Sequence, residues 1–509
     1  MLLVQLPLKM KIGCNSIRPL FKRTRLAFFN LNRSITIPSV VPSIIHNVEI
    51  TQGPTFSVMQ KETDKTYAVH SVTKGDVNGI LDSVKSGQAA WDSTPLVDKR
   101  DIFFTAATFL KQRKDILIES MHDEVGIPTD LGVYFAEDSV SYMLELGSIM
   151  ASQTGKVVNQ VRDKTALVVK QPVGPVLSIV PWNASSILAT RAAACPIAAG
   201  CAVTLKTSPY APYTQYLTLK ALLDAGLPPG VLNIVHCNHT DDESVVNTLI
   251  ASPVIRKINF TGSTVVGRKI AVEAAKHLKP VVLELGGKGA VIVTKSADLS
   301  GAATFSILGS WVGSGQVCMS TERIYVVKEV AVPFMEILKQ KASELQHLPI
   351  VNGKQITDLR AYEINDMVED AVSKGATIIY QDIELTGEPS ADRVKKTILG
   401  GIDKTMKIHD HETFGPLSYI NVVQSVDEAI AEVNSSKTGL NSSIWTSDIA
   451  EGIDIANRVE SGAVHINGST TFDYGTIPHG GVKGSGYGRF GGQWGIDEFS
   501  VVKCITWPV

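Results

Sequence analysis

Val176 to Lys206 reads VLSIVPWNASSILATRAAACPIAAGCAVTLK, and this stretch decides the fold class. A strand-length apolar run, VLSIV, is followed by a helix-length stretch, SILATRAAACPIAAG, and by a second apolar run, AVTLK. The runs VLNIV (231–235) and KINF (257–260) continue the alternation, which predicts parallel α/β units. The uncharged run from Gln171 to Thr190 is long enough to span a membrane, but Pro172, Pro175, Pro181 and Asn183 break it, so no transmembrane segment is expected. Upstream, residues 97–151 read as helical with a charged face. Between them KVVNQVRDKTALVVKQPV (156–173) places two β-rich runs around a charged RDK turn. Such a hairpin has exposed edges unless another chain covers them. Downstream, AVIVT (290–294), LSGAATFSILGSWVG (299–313) and RIYVV (323–327) open a second α/β body over residues 287–481 and leave Cys318 on the turn before a strand.

The chemistry is concentrated in two strings, LELGGKG around Glu284 and GQVCMSTER around Cys318. A thiolate adds to an electrophilic carbon, and a nearby carboxylate can deprotonate the water that releases the acyl intermediate. A lone cysteine is more often buried filler. Here Gly286, Gly287, Gly313 and Gly315 remove side chains beside both residues, which suits close approach to a ligand. A hydrolase using Glu284, Lys288 and Cys318 without nucleotide is a second reading of these residues, and a silent binding protein of the same fold is a third.

Five more motifs follow in order: PWNAS (181–185), TLKTS (204–208), FTGSTVVG (260–267), ETFGP (412–416) and PHGGVKGSGYGR (478–489). Together with the first two strings they resemble the aldehyde dehydrogenase superfamily over almost the whole chain after the first fifty residues. GQVCMSTER and VKGSGYGRFGG resemble its salicylaldehyde and vanillin dehydrogenase branch. The resemblance implies NAD- or NADP-dependent oxidation of an aldehyde, aromatic in that branch, to the acid; a general aliphatic or semialdehyde substrate is the alternative. It makes Cys318 the nucleophile, Glu284 the general base, and Asn183 an oxyanion donor with the Cys318 backbone N–H. Coenzyme contacts are implied at Pro181, Trp182, Lys206, Gly262, Ser263, Thr264, Val265, Val266, Gly267, Leu285, Glu412 and Phe414. The implied fold has a Rossmann-type coenzyme domain (48–152 and 174–286), a catalytic domain (287–481) and an oligomerisation arm (153–173 and 497–509). A homodimer or tetramer follows from the arm.

The string KINFTGSTVVGRKIAVEAAKHLK places a strand, a glycine turn and an amphipathic helix in succession, and a helix N-terminus favours a phosphate. Pro209 stands where NAD-preferring relatives commonly carry a glutamate, so both coenzymes are expected. Phe490 stands where many relatives have a second glutamate, leaving Glu284 as the expected base. For the substrate, Ala184 replaces a common aromatic and leaves room for a ring, while Val317 and Met319 flank the nucleophile with apolar surface. Arg191 could face an oxygen substituent or form a salt bridge between domains.

Residues 1–48 hold seven Lys/Arg and no acid, and the remainder carries 41 basic against 50 acidic residues. No basic stripe runs through the body, so no nucleic-acid partner is expected. Over Ile17–Arg33 a helix would put Ile17, Leu20, Phe21, Phe28 and Leu31 on one side and basic residues on the other. Residues 1–47 therefore resemble a mitochondrial transit peptide, the alternative being a solvated extension of a cytoplasmic protein. The six cysteines show no CxxC and no metal-ligand spacing, which predicts a reducing compartment and no metal site.

Overall fold

The computed structural model describes residues 37–382 and 391–509. The expected transit segment lies outside the described residues up to position 36.

The VLSIV and AVTLK runs form the strands Val176–Ile179 and Val203–Lys206 at the centre of an eight-stranded sheet. The helix Ser185–Ala198 connects them. Leu232–Val235 extends the sheet on one side; Lys257–Gly262 and Val281–Leu285 extend it on the other, all five strands parallel. All four side chains of Val176–Ile179 and all four of Val203–Lys206 are buried, as both-face coverage by helices requires. The chain reverses its direction of growth between Val176–Ile179 and Lys257–Gly262, and a crevice outside the carboxyl ends of strands at such a switch point is where ligands bind.

One boundary departs from expectation. Ser43–Ile45 pairs antiparallel with Leu232–Val235 and with Val48–Ile50, so residues upstream of 48 belong to this sheet. Ile44 is buried against it, an anchor that the basic charge of the tail conceals in the sequence. At the opposite edge Gly486–Tyr487, from the far end of the chain, pairs with Val281–Leu285.

The second body is a seven-stranded sheet whose inner strands are Thr397–Gly400, Leu417–Val423, Thr321–Val327, Gly289–Val293 and Asn441–Trp445, with Ala463–Ile466 at one edge and the antiparallel Thr377–Gln381 at the other. Helices Leu96–Gln112, Lys114–Val125 and Thr129–Met150 pack beside the first sheet. The RDK segment turns between strands Lys156–Val161 and Lys164–Pro172, with Arg162 at φ 60°. Ser500–Pro508 pairs along the whole of Lys164–Pro172. Among the described residues, no helix is long and apolar enough to cross a membrane.

Candidate active site

Cys318 follows the helix Leu299–Trp311 through a turn in which Gly313, Ser314 and Gly315 all take positive φ. A Cβ on Gly315 would stand 2.0 Å from the Gly415 carbonyl oxygen, so only glycine lets this turn lie against the ETFGP loop. Ser314 holds φ 58° without being glycine, local strain of the kind found at functional sites. The turn delivers Cys318, half-buried, beside the end of the neighbouring sheet.

Glu284 comes from the strand Val281–Leu285 and is 1% exposed. Its Oε1 accepts from the Cys318 thiol at 3.2 Å. Its Oε2 is paired with the Arg191 guanidinium. His479 Nε2 lies 3.5 Å from the same Oε1 that faces the thiol. Burial would raise the Glu284 carboxyl, but Arg191, followed by the hydrogen bond and charge of His479, holds it well below the usual carboxylate range. Burial pushes the Cys318 thiol up, and the adjacent carboxylate pushes it further. The resting pair is therefore a thiol hydrogen-bonded to a carboxylate.

Asn183 lies in the loop after Val176–Ile179, buried, and its amide donates to the Gln316 carbonyl at 3.0 Å, two residues before Cys318. The second amide hydrogen remains for another acceptor. Ala184 starts the following helix, and Val317 and Met319 are half-buried on either side of the cysteine. Met319 Sδ lies 3.1 Å from the Asn441 side-chain nitrogen.

Arg191 corrects the expectation of a substrate contact. Besides Glu284 it faces Asp473 at 3.8 Å and lies over the Phe490 ring at 4.5 Å. With 4% exposure its charge is engaged by carboxylates, because a buried guanidinium must be paired. The salt-bridge alternative is the one this geometry favours. Lys288, required by the hydrolase reading, is engaged in a buried pair with Glu322 and donates to the His411 carbonyl.

On the coenzyme side, Ser263 caps the helix Thr264–Lys276 by accepting from the Val266 N–H at 3.4 Å. Val265 and Val266 stand 66% and 44% exposed at this helix start, an apolar surface suited to a flat ligand. Gly267 brings the helix onto Leu285, which a Cβ would meet at 2.4 Å. Gly262 ends the preceding strand, Lys257–Gly262. Glu412 accepts from the Gly287 N–H at 3.2 Å, and Phe414, at φ 49°, packs edge-on to Trp182 at 6.0 Å. Desolvation, with Glu322 nearby, pushes Glu412 up to about 8. The Pro181 carbonyl is held by Gln215 at 2.6 Å. Lys206, expected at the adenosine ribose, is paired with Asp242 at 2.6 Å. A capped helix start at the switch point, a half-exposed aromatic pair and an acidic side chain beside the Gly286 backbone together fit a nicotinamide dinucleotide.

Sequence reading passes over three neighbours of the site. His479 is remote in the chain from Glu284, Asp473 from Arg191 and Asp242 from Lys206, and PHGG is legible only for its glycines.

A switch point in the parallel sheet with a cysteine–carboxylate pair beside it fits a dinucleotide-dependent oxidoreductase. The chain matches the aldehyde dehydrogenase family over residues 49–505 and belongs to it. It is 34% identical to a salicylaldehyde dehydrogenase of Pseudomonas putida over 462 residues, 88% of this chain and 95% of that one. It is 35% identical to a vanillin dehydrogenase of Pseudomonas fluorescens over 444 residues, covering 86% and 91%. The crystal structure of salicylaldehyde dehydrogenase from Pseudomonas putida G7 with salicylaldehyde superposes with a TM-score of 0.88 at 32% identity, covering 93% of this chain and 99% of that one. The chain is thus an oxidoreductase that oxidises an aldehyde with NAD or NADP. These relatives are bacterial and lend no support to a mitochondrial location.

Proposed function

We propose that the chain oxidises an aromatic aldehyde to its carboxylic acid through a thioester on Cys318. The observation that carries this reading is the 3.2 Å contact between the Cys318 thiol and Glu284 Oε1. Glu284 takes the thiol proton, and the thiolate adds to the aldehyde carbon. The oxyanion is met by the Asn183 amide and the Cys318 backbone N–H, each worth about 3 kcal/mol at such sites. A bound NAD or NADP supplies the hydride acceptor. Ser263, the helix start at Thr264–Gly267 and Trp182 would hold the dinucleotide, and Glu412 and Phe414 would orient its nicotinamide half. Once the thiol proton has passed on to solvent, the ionised Glu284 deprotonates the water that attacks the thioester, and the thiolate leaves.

An aromatic substrate is supported by the small Ala184 side chain, by the apolar Val317 and Met319, and by the relatives' named substrates. Arg191, already paired with carboxylates, offers no free cation to a semialdehyde carboxylate. Absorbance of NADH or NADPH over benzaldehyde, salicylaldehyde, vanillin, succinate semialdehyde and aliphatic aldehydes tests the reading. Higher kcat/KM for the aliphatic set than for every aromatic aldehyde contradicts it.

The arm formed by residues 153–173 and 497–509 supports self-association. Val157, Val158, Val502 and Trp507 expose apolar surface on the two outer strands of its three, a liability for a free monomer. A dimer or tetramer is expected by light scattering, and a monomer at micromolar concentration contradicts it. The acid-free tail supports import into the mitochondrial matrix, tested by fusing residues 1–48 to a fluorescent protein; a diffuse cytoplasmic signal contradicts it.

A further inference from the structure

His479 and Asp473 have no part in the chemistry above, yet they lie in line with its base, His479 within hydrogen-bond reach of Glu284 and Asp473 in ion-pair range beyond it. Glu284 Oε2 is taken by Arg191, so Oε1 is the oxygen free to carry a proton. That oxygen faces the thiol at 3.2 Å and His479 Nε2 at 3.5 Å. On the far side of the ring, His479 Nδ1 lies 3.6 Å from Asp473 Oδ2. His479 is 4% exposed, whereas the Asp473 side chain is 27% exposed, so the chain runs from the buried base toward solvent. The imidazole is held in place by its backbone, which exchanges hydrogen bonds of 2.9 and 2.8 Å with Phe490. The Phe490 ring in turn packs under Arg191. The remaining charged or titratable groups around the imidazole are Arg191, which shares both of its carboxylates, and His465; Asp138 acts on Asp473.

We propose that His479, backed by Asp473, is a positioning residue that acts through Glu284, accepting the protons that Glu284 takes from the Cys318 thiol and from the hydrolytic water. The inference rests on the Cys318–Glu284 reading above. In the first step the S–H bond breaks, the proton passes to Oε1 and then to Nε2, and the imidazolium is held by Asp473 through Nδ1–H. A proton then leaves to water, and the ring returns to the tautomer with Nε2 unprotonated before the second step. In the second step the water proton follows the same route, hydroxide adds to the thioester, and the C–S bond breaks to regenerate the thiolate and the acid. A carboxylate held low by Arg191 stores a proton poorly, so a second acceptor within reach of Oε1 is what lets it take up two protons in one turnover.

The experiment measures the rate at which iodoacetamide alkylates Cys318 as a function of pH, read by mass spectrometry of its peptide in coenzyme-free protein, together with kcat. The wild type is compared with His479→Gln, Asp473→Asn and Glu284→Gln, with NAD binding as the check of folding. His479→Gln is expected to slow alkylation ~10-fold at pH 7, to move its midpoint to higher pH, and to lower kcat ~10-fold, a modest share of general acid–base catalysis. Asp473→Asn is expected to move both in the same direction by less, and carries the test if His479→Gln fails to bind NAD. Profiles within twofold of wild type in the folded His479 or Asp473 variant overturn the relay. If Glu284→Gln alone shifts the profile, only the relay falls. If neither Glu284→Gln nor His479→Gln shifts it, the Cys318–Glu284 reading falls with it.

Discussion

Arg191 grips one oxygen of Glu284 and leaves the other facing Cys318. A buried carboxylate beside a thiol would by itself take up a proton and lose its use as a base. The guanidinium keeps it ionised, and the aromatic ring of Phe490 beneath supports the guanidinium. Where a second glutamate is common in the family, this chain has an aromatic platform for the cation that conditions the first.

Replacement of Cys318 by serine is expected to abolish turnover while leaving coenzyme binding intact. Glu284→Gln is expected to form NADH in a slowed burst and to lose ~10²-fold or more in steady-state turnover, the usual scale for a general base. Rapid-mixing absorbance separates the burst from the steady state, and comparable steady-state rates would show that another group activates water.

Arg191→Leu leaves the Glu284 carboxylate buried with the Cys318 thiol and His479 as its remaining partners and no guanidinium beside it. Breaking a buried pair from one side costs about 3 kcal/mol, measured by urea denaturation. In the wild type the depressed Glu284 carboxyl contributes stability above its unfolded pKa, and that contribution is lost as pH falls below it. In the variant the carboxyl rises, so the acidic limb of the kcat/KM profile is expected to move to higher pH. A change confined to the KM of hydroxylated aldehydes would instead return Arg191 to a substrate role.

The Glu412 carboxyl, pushed up to about 8, is the expected acceptor for coenzyme hydroxyls in its ionised form. NAD affinity should therefore strengthen as pH rises through about 8 and weaken below it. Fluorescence titration across pH 6–9 reads the dependence. Glu412→Gln should flatten it, and an equal slope in the variant assigns it to another group.

Pro209 and the Lys206–Asp242 pair set the coenzyme expectation. Proline neither repels a 2′-phosphate nor accepts from a 2′-hydroxyl, so NAD and NADP efficiencies are expected within about two orders of magnitude, a gap of roughly 2.7 kcal/mol. Pro209→Glu should shift the ratio toward NAD. Asp242→Asn should free the Lys206 ammonium and shift it toward NADP. Strict NAD use by the wild type, or unmoved ratios in both variants, places the choice elsewhere in the ribose pocket.

The alternation from Val176 onward sufficed for the parallel α/β class, because strand and helix lengths are local properties of a few residues each. Cys318, Glu284 and the coenzyme motifs were legible for the same reason: each sits in a short string whose glycines and neighbours are contiguous. What Arg191 does was not legible. Its choice between a substrate oxygen and a carboxylate depends on Glu284, 93 residues away, being turned toward it in the same buried space. His479 lies 195 residues from Glu284 and meets it only because Gly486–Tyr487 returns to pair beside Val281–Leu285. Ser43–Ile45 likewise joined the first sheet through an edge pairing that no local pattern announces. A hydrophobic period is written in neighbouring residues, whereas a buried charge finds its partner only when distant segments exclude water from the same place, and that is decided by the tertiary structure.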